Sequence, residues 1–278
     1  MKMKRFFLLV FLFILTIYIP TQGAESPKEN EAGEEQELRD INLRWGIPSV
    51  EEKLLKKGYF TINYSEKWKI PLWVAYHISA DKLQIKVHRT NDFRADIELS
   101  EGSRAKSYDY AKSGFAKGHH VIPEAFRYDK AAVSETFLLS TISPQTYQVN
   151  RSIWPSIEKE ILHTAAKMEE AWVFSGNLFL DQYNEIIEPS KFIGPNDIAV
   201  PTHFFKVILF RDKRSTYFME AYLVPNQKKI SINYTEYLKT VKELEKITKY
   251  EFFPKLELKL GAETIKRLKS SKPLKIKK

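Results

Sequence analysis

The chain contains no cysteine, and this absence removes several classes of protein at once. Disulfide frameworks and thiolate metal sites both need cysteine, and so does the lipid attachment of a bacterial lipoprotein. The long apolar run of residues 6–19 is only about 14 residues, short of the roughly 20 that span a bilayer as a helix. No Gly/Ser-rich or Pro-rich linker interrupts the chain after about residue 45. We therefore expect one domain, without a stable membrane anchor, that is stabilised by its core alone.

The N-terminal segment has the layout of a secretory signal peptide. Lys2, Lys4 and Arg5 precede the apolar run, and the small residues Gly23 and Ala24 follow it. This pattern predicts cleavage after residues 1–24 and an exported protein, either periplasmic or secreted. The alternative is an uncleaved leader that holds the chain at a membrane.

The rest of the chain divides by composition into three parts. Residues 25–44 are polar and acidic, which predicts a flexible leader. We expect the folded domain over residues 45–256 and a basic C-terminal tail over residues 257–278. The formal net charge of +9 suits a polyanionic partner such as nucleic acid. A merely lysine-rich composition would give the same charge, so the charge only supports that interpretation.

Hydrophobic spacing predicts a mixture of strands and helices. Apolar alternation or short apolar runs predict strands at residues 58–64, 72–78, 83–88, 137–142, 172–175, 204–210 and 217–224. Apolar residues at helical spacing from Ile153 to Met168 predict an amphipathic helix, with Pro155 in its first turn. A second helix is expected over about residues 235–248. The elements do not alternate as regular βαβ units, which predicts an α+β fold with a central, mainly antiparallel sheet.

The sequence SGFAKGHH at residues 113–120 contains the first candidate for chemistry. His119 follows a glycine, and an imidazole with a pKa near 6.5 can take a proton from water at neutral pH. Lys117 would add positive charge beside a phosphate. The alternative is structural: Gly118 makes a turn, and both histidines are surface or hydrogen-bonded core residues.

Asn150 and Glu158 stand at the beginning of the predicted helix and eight residues further on. One interpretation is that Asn150 caps the helix through its side-chain oxygen and that Glu158 is solvated. The other is that both oxygens serve a hydrated Mg²⁺, which prefers oxygen ligands and retains water. The spacing alone leaves both interpretations open.

Taken together, the chain resembles the DNA/RNA non-specific endonuclease family of ββα-metal (His-Me finger) nucleases, over roughly residues 45–256. The similar segments are GIP at 46–48, GY at 58–59, WVAYH at 73–77, SGFAKGH at 113–119, SE at 134–135, STISPQ at 140–145, VNRSIWPSIE at 149–158, VPTHFFKV at 200–207 and VKELEKIT at 241–248. The resemblance implies a ββα-metal motif within the fold and an enzyme that hydrolyses phosphodiester bonds.

The resemblance also implies a role for each candidate residue. His119 corresponds to the general base, Asn150 to the only direct protein ligand of Mg²⁺, and Glu158 to the carboxylate that holds water on the metal. Arg89 corresponds to an arginine that binds phosphate, and Lys117 stands at the arginine of the family's Asp-Arg-Gly-His motif. The expected substrates are DNA and RNA with little sequence preference, and the products carry 5′-phosphate and 3′-hydroxyl ends. Mn²⁺ is expected to substitute for Mg²⁺, and homodimers occur in the family.

The signature departs from the family at two positions. Ala116 stands where the family has aspartate, and Lys117 keeps the charge of arginine without its bidentate fork. The absence of one charged interaction with the transition state costs about 2 kcal/mol, or ~30-fold in rate, so reduced activity is expected. The alternative is an exported nucleic-acid-binding protein on a catalytically weakened nuclease scaffold.

Overall fold

The computed structural model describes residues 40–49 and 52–271. The strands are β1 (Leu54–Lys56), β2 (Phe60–Ser65), β3 (Ile70–Ser79), β4 (Ala116–His119), β5 (Ile142–Gln145), β6 (Glu170–Leu178), β7 (Phe192–Ile193), β8 (Ile198–Ala199), β9 (His203–Arg211), β10 (Tyr217–Pro225) and β11 (Leu238–Lys239). The α-helices are α1 (Lys130–Glu135), α2 (Trp154–Lys167), α3 (Val241–Thr248), α4 (Leu256–Leu260) and α5 (Ala262–Ser270).

Seven of these strands form one sheet, in the order β1-β2-β3-β6-β9-β10-β11. Every neighbouring pair in it is antiparallel. β4 and β5 form a separate two-stranded antiparallel sheet, and β7 and β8 form another. The predicted α+β fold with a mainly antiparallel central sheet is confirmed.

The large sheet is covered on both faces, which explains the nearly continuous apolar runs of its central strands. Successive side chains of a strand point to opposite faces. Val74 accordingly belongs to the core shared with Ile161 of α2, whereas Trp73 belongs to the core shared with Leu244 of α3. The sheet thus separates α2, on one face, from α3, α4 and α5 on the other.

Packed residues extend on both sides of the predicted domain, residues 45–256. Leu43 is buried, and Trp172 Nε1 donates a hydrogen bond to the Ile41 carbonyl oxygen. At the other end, Ile265 is buried and Lys269 Nζ lies 2.7 Å from Glu245 Oε1. The predicted signal peptide (residues 1–24) and most of the predicted leader lie outside the described residues. Within the part that the structure describes, no helix has the length and apolarity needed to cross a membrane.

The strand predicted at residues 83–88 is wrong. The chain there forms a 3₁₀ turn, Lys82–Gln84, and then an irregular segment in which Ile85 is about half exposed. Alternation alone cannot make a strand without a free sheet edge, and β3 is already paired on both sides by β2 and β6.

Two other elements differ in their bounds. The apolar residues 137–142 lead through a 3₁₀ turn, Leu139–Thr141, into β5, so the strand itself begins at Ile142. The helix predicted over residues 235–248 begins only at Val241. Thr240 and Glu243 form a capping box there, and each side chain accepts from the other's backbone N–H.

One turn of π-helix, Val149–Ile153, leads directly into α2. Pro155 is in the first turn of α2, as predicted, where its missing N–H costs no helical hydrogen bond. A π-turn inserts one residue relative to the α-helical repeat. A regular projection at about 100° per residue therefore does not describe how Asn150 is placed relative to α2.

Candidate active site

His119 lies at the end of β4, in the two-stranded sheet that β4 forms with β5. The register pairs Gly118 with Ser143 and His119 with Ile142. The indole Nε1 of Trp154, the first residue of α2, donates a hydrogen bond of 2.8 Å to the His119 carbonyl oxygen. Strand pairing and this bond hold the backbone of His119 between two strands and one helix.

The imidazole of His119 is largely enclosed, with the residue 9% exposed. Its ring centroid lies 5.2 Å from that of Phe93 and 4.8 Å from that of Phe137. Its Nε2 forms no hydrogen bond with any described residue. Burial first, and then the positive charges of Arg89 and Lys206, lowers the pKa of His119 to about 3. The ring is therefore neutral near pH 7 and has a nitrogen lone pair that can accept a proton.

The adjacent His120 has a different environment. It is fully buried, and its Nδ1 lies 3.1 Å from Ser175 Oγ. Its Nε2 lies 3.0 Å from Ser143 Oγ and 3.1 Å from Asn177 Oδ1. Both ring nitrogens are engaged inside the core, so the structural interpretation applies to His120, and His119 is the histidine of the pair that can act on a substrate.

Asn150 lies in the π-turn, beside the end of β5. Its Nδ2 donates a hydrogen bond of 3.2 Å to Gln145 Oε1. The N-cap positions are Gln148 for the π-turn and Ile153 for α2, and Asn150 lies inside the π-turn, so the alternative of Asn150 as helix cap does not hold. Gly118 makes this contact possible, because a Cβ there would overlap the Gln145 side chain. The bond to Gln145 uses the amide nitrogen and leaves the Asn150 oxygen available.

Glu158, on α2, has a side chain that is 14% exposed. Its Oε1 is buried and accepts no hydrogen bond among the described residues. Burial raises the pKa of Glu158 to about 7, and the neighbouring Lys206 partly opposes that rise. A buried carboxylate oxygen without a donor is costly, so this oxygen calls for a cation or a held water.

Lys206 of β9 is a residue of the site that the sequence did not predict. It is fully buried, and its Nζ donates to the His120 carbonyl oxygen at 3.0 Å and to Ser175 Oγ at 3.2 Å. The same Nζ lies 3.7 Å from Glu158 Oε1, close enough for an ion pair but beyond hydrogen-bonding distance. Burial lowers the pKa of Lys206 to about 8, so the amine is still mainly protonated at neutral pH. Its charge inside the apolar run of β9 is the sequence signal that could have identified it.

Two further cations border the imidazole. Arg89 is half exposed, and its Nη1 lies 2.8 Å from Glu124 Oε1. Lys117 Nζ donates 2.5 Å to Ser107 Oγ and lies 4.9 Å from the ring centroid of Phe93. Burial lowers the pKa of Lys117 from its usual value. Both cations can meet a phosphate that enters beside His119.

The residues predicted for the site line one cleft of about 680 Å³. They are Arg89, Lys117, His119, Asn150 and Glu158. Trp154, Lys159 and Leu162 complete the wall that α2 contributes. The cleft therefore contains a neutral histidine, an amide oxygen, a buried carboxylate and three basic side chains.

A metal ion would find few protein ligands here. No cluster of three or more His, Asp or Glu side chains suited to a metal occurs among residues 40–49 and 52–271. The fit is instead that of a hard cation that retains most of its water, with the Asn150 oxygen as direct ligand. Oε1 of Glu158 accepts no hydrogen bond among the described residues, so it can accept one from such water. Asn150 and Glu158 thus fit Mg²⁺ better than a metal that needs several imidazole or thiolate ligands.

The chain matches the DNA/RNA non-specific endonuclease family over residues 43–259, and it belongs to that family of nucleases. It is 29% identical over 253 residues to the human protein "Nuclease EXOG, mitochondrial", covering 86% of this chain and 67% of that protein. It is 27% identical over 224 residues to human "Endonuclease G, mitochondrial", covering 79% and 75%. The chain spans about two thirds of the length of the EXOG relatives from human, mouse and Xenopus laevis.

A solved structure supports the fold assignment. The chain superposes with a TM-score of 0.70 and 26% identity on a chain from "Crystal structure of the EndoG/EndoGI complex: Mechanism of EndoG inhibition". The match covers 77% of this chain and 90% of that one.

The prediction of export is contradicted by these relatives. The EXOG proteins of human and mouse and the Endonuclease G proteins of Caenorhabditis elegans and human are all named mitochondrial. These names overturn the prediction of a periplasmic or secreted protein. Secretory signals and mitochondrial transit peptides share a basic N-terminus with few acidic residues, and the prediction of export relied on the apolar run that follows it.

Proposed function

We propose that this chain is a metal-dependent endonuclease that hydrolyses phosphodiester bonds of DNA and RNA with little sequence preference. The observation that carries the proposal is the cleft in which His119, with an unpaired ring nitrogen, lies with Asn150 and Glu158. Family membership over residues 43–259 supports the same reaction class. By the family resemblance, the products carry 5′-phosphate and 3′-hydroxyl ends.

In the proposed mechanism His119 is the general base. Its neutral imidazole takes a proton from the water that attacks phosphorus in line with the leaving 3′ oxygen. The bond from phosphorus to that oxygen breaks, and the oxygen takes a proton from water to become the 3′-hydroxyl. The negative charge of a bound phosphate raises the pKa of the buried ring, which makes it a better base at the moment of reaction. Phe93 and Phe137 exclude bulk water from the ring and fix its orientation.

The cations of the cleft stabilise the charge that develops on the phosphate oxygens. Lys117 and Arg89 lie beside the imidazole and contribute two positive charges at the mouth of the cleft. We expect contacts mainly to phosphate and sugar, which explains little preference for base sequence.

Mg²⁺ is the proposed metal, with Mn²⁺ as a substitute. Asn150 would hold the ion directly and Glu158 would hold its water. When bound, a divalent cation neutralises charge on the phosphate and on the leaving oxygen.

A second candidate function is nucleic-acid binding on a catalytically weakened scaffold. This function is suggested by Ala116 and Lys117, which replace the aspartate and arginine of the family signature. Against it, the pairing of β4 with β5 and the hydrogen bond from Trp154 hold the backbone of His119 without a carboxylate at position 116. We therefore favour an active enzyme of reduced rate.

The test is an incubation of purified protein with supercoiled plasmid and with RNA, in Mg²⁺, in Mn²⁺ and in EDTA. We expect nicking and degradation in either metal and none in EDTA. His119→Asn should abolish cleavage while the circular dichroism spectrum and the binding of uncleaved DNA remain. Binding without nicking by the wild-type chain would support the second function, and full activity of His119→Asn would refute the assigned base.

A further inference from the structure

A second cleft, of about 490 Å³, lies beside the first on the same helix. It is lined by Ser156, Lys159, Glu160, His163, Lys167 and Tyr234. Lys159 lines both clefts. The second cleft therefore adjoins the candidate active site along α2.

Its basic side chains are regularly spaced. Lys159, His163 and Lys167 follow each other at intervals of four residues, are all exposed, and so present one row on α2. Each interval advances about 6 Å along the helix, so the row is ~12 Å long and begins at Lys159, within the catalytic cleft. Stacked nucleotides advance about 3.4 Å each along a strand, so this length corresponds to roughly three or four nucleotides.

The two lysines are free to meet an anion. Among the described residues neither Lys159 nor Lys167 has a salt-bridge partner, whereas Lys53 and Lys106 pair with nearby glutamates. One acidic side chain opposes them, since Glu160 also lines the cleft. Partial burial and the Glu160 carboxylate beside its hydroxyl raise the pKa of Tyr234, so Glu160 is directed toward that tyrosine. Tyr234 itself offers an aromatic ring on which a base can stack.

We propose that this second cleft binds the phosphate backbone of the nucleic-acid strand that is being cut, a few nucleotides away from the scissile phosphate. The inference rests on the proposed function. Lys159 and Lys167 contact phosphates, and Tyr234 supports a base between them. The cleft thus converts a site for one phosphodiester into a site that prefers a longer strand.

The test compares substrates of different length in two double variants. The first, Lys159→Ala/Lys167→Ala, removes both lysines of the second cleft. The second, Lys242→Ala/Lys246→Ala, removes two exposed lysines of α3, on the opposite face of the sheet. Lys167 and Lys246 are each in the last turn of their helix, so any loss of helix-end stabilisation is matched.

The substrates are a p-nitrophenyl phosphodiester of thymidine, which fills only the scissile position, and single-stranded oligonucleotides of increasing length. In the wild type we expect kcat/KM to rise with length until the strand reaches about four nucleotides past the cut, as the ~3.4 Å spacing predicts. The first variant should lower the ratio of kcat/KM on long strands to kcat/KM on the small ester about tenfold or more, through weaker phosphate binding. Lys167→Ala alone, at a residue outside the catalytic cleft, should lose activity on long strands and none on the small ester. The control variant should match the wild type on both.

Binding provides a second readout that does not need cleavage. Fluorescence anisotropy of a labelled oligonucleotide in EDTA, at several salt concentrations, should show that the first variant lowers the slope of log K against log salt. Removing two lysine–phosphate interactions lowers that slope by about 1.4 for a single strand. Glu160→Gln should strengthen binding.

The outcomes separate this inference from the function on which it rests. The proposed role of the second cleft is overturned if the first variant leaves unchanged both the salt slope and the ratio of kcat/KM on long and short substrates. Cleavage by the wild type would still leave the enzyme assignment intact. A wild type that binds but never cleaves overturns the enzyme assignment. The anisotropy measurements then still test whether the second cleft binds the strand.

Discussion

The Nζ of Lys206 lies 3.7 Å from Glu158 Oε1, and both groups are enclosed by the sheet, α2 and the ring of Trp154. This ion pair joins a central strand to the helix that carries the site. The burial of Lys206 and its bonds to His120 and Ser175 make it a positioning residue for Glu158 and for the segment after His119.

Replacing Lys206 by Met should therefore affect stability and activity together. The change leaves Glu158 buried without its counter-charge, which costs about 3 kcal/mol or more of unfolding free energy. We expect a clear loss of kcat with a smaller change in KM, because Lys117 and Arg89, the cations proposed to bind the substrate, remain. Urea denaturation and steady-state kinetics measure the two effects.

A double-mutant cycle distinguishes positioning from general destabilisation. In a Glu158→Gln background, Lys206→Met should cost much less stability, because the unpaired carboxylate is gone. Additive effects of the two substitutions would contradict a direct coupling between them.

Gly118→Ala should reduce activity without preventing folding. The added Cβ overlaps the Gln145 side chain, so Gln145 must move and Asn150 loses its hydrogen-bond partner. We expect kcat to fall about tenfold or more, since a small displacement of the proposed metal ligand would misalign the reacting groups. Gly102→Ala is the matched control, because a Cβ there meets nothing within 4 Å. Gly118→Ala/Gln145→Ala should be no slower than Gln145→Ala; a further loss would place the effect elsewhere.

Lys117→Arg should raise activity. Arginine restores a planar group that can contact two phosphate oxygens at once, where lysine offers a single point charge. We expect kcat/KM on DNA to increase about tenfold, within the ~30-fold that one charged interaction represents. Lys112→Arg, at an exposed lysine outside the cleft lining, is the control. A decrease would mean that the bond from Lys117 to Ser107 matters more than the bidentate contact.

His119 should make folding stability depend on pH. Burial holds its folded pKa at about 3, below its ordinary value of 6.5. The unfolded chain therefore binds more protons over this range, and stability is lost as the pH falls from about 6.5 toward 3. The loss from this one group is on the order of 5 kcal/mol across the whole range.

His119→Leu removes that contribution, so its unfolding free energy should fall less on acidification than that of the wild type. Urea denaturation at neutral pH and near pH 4.5 measures the difference, with substitution of the exposed His88 by Gln as a control. Equal acid sensitivity of the wild type and His119→Leu would show that the ring is not buried as described.

The sequence predicts the central strands and α2 well because their patterns are local. The apolar runs of β3, β6 and β9 and the stripe of α2 follow from burial against neighbours on fixed faces. The predicted strand at residues 83–88 failed because the availability of a sheet edge is a property of the whole topology. Local alternation does not contain that information.

The site shows the same division. His119, Asn150 and Glu158 lie in segments that resemble a known family, and the structure brings them into one cleft. Gln145 and Lys206 were missed because their roles depend on contacts across strands that are distant in the chain. The charge of Lys206 in an apolar strand is the one sequence signal that could have identified it.

The π-turn Val149–Ile153 sets the direction in which Asn150 leaves the helix axis relative to Glu158. Removing one residue from this turn would convert it to ordinary α-helix and swing Asn150 by about 100° around the axis relative to Glu158. Every side chain needed for hydrolysis would still be encoded, yet the amide and the carboxylate would no longer aim at the same point. In this segment a shift in length is as damaging as the loss of the asparagine itself.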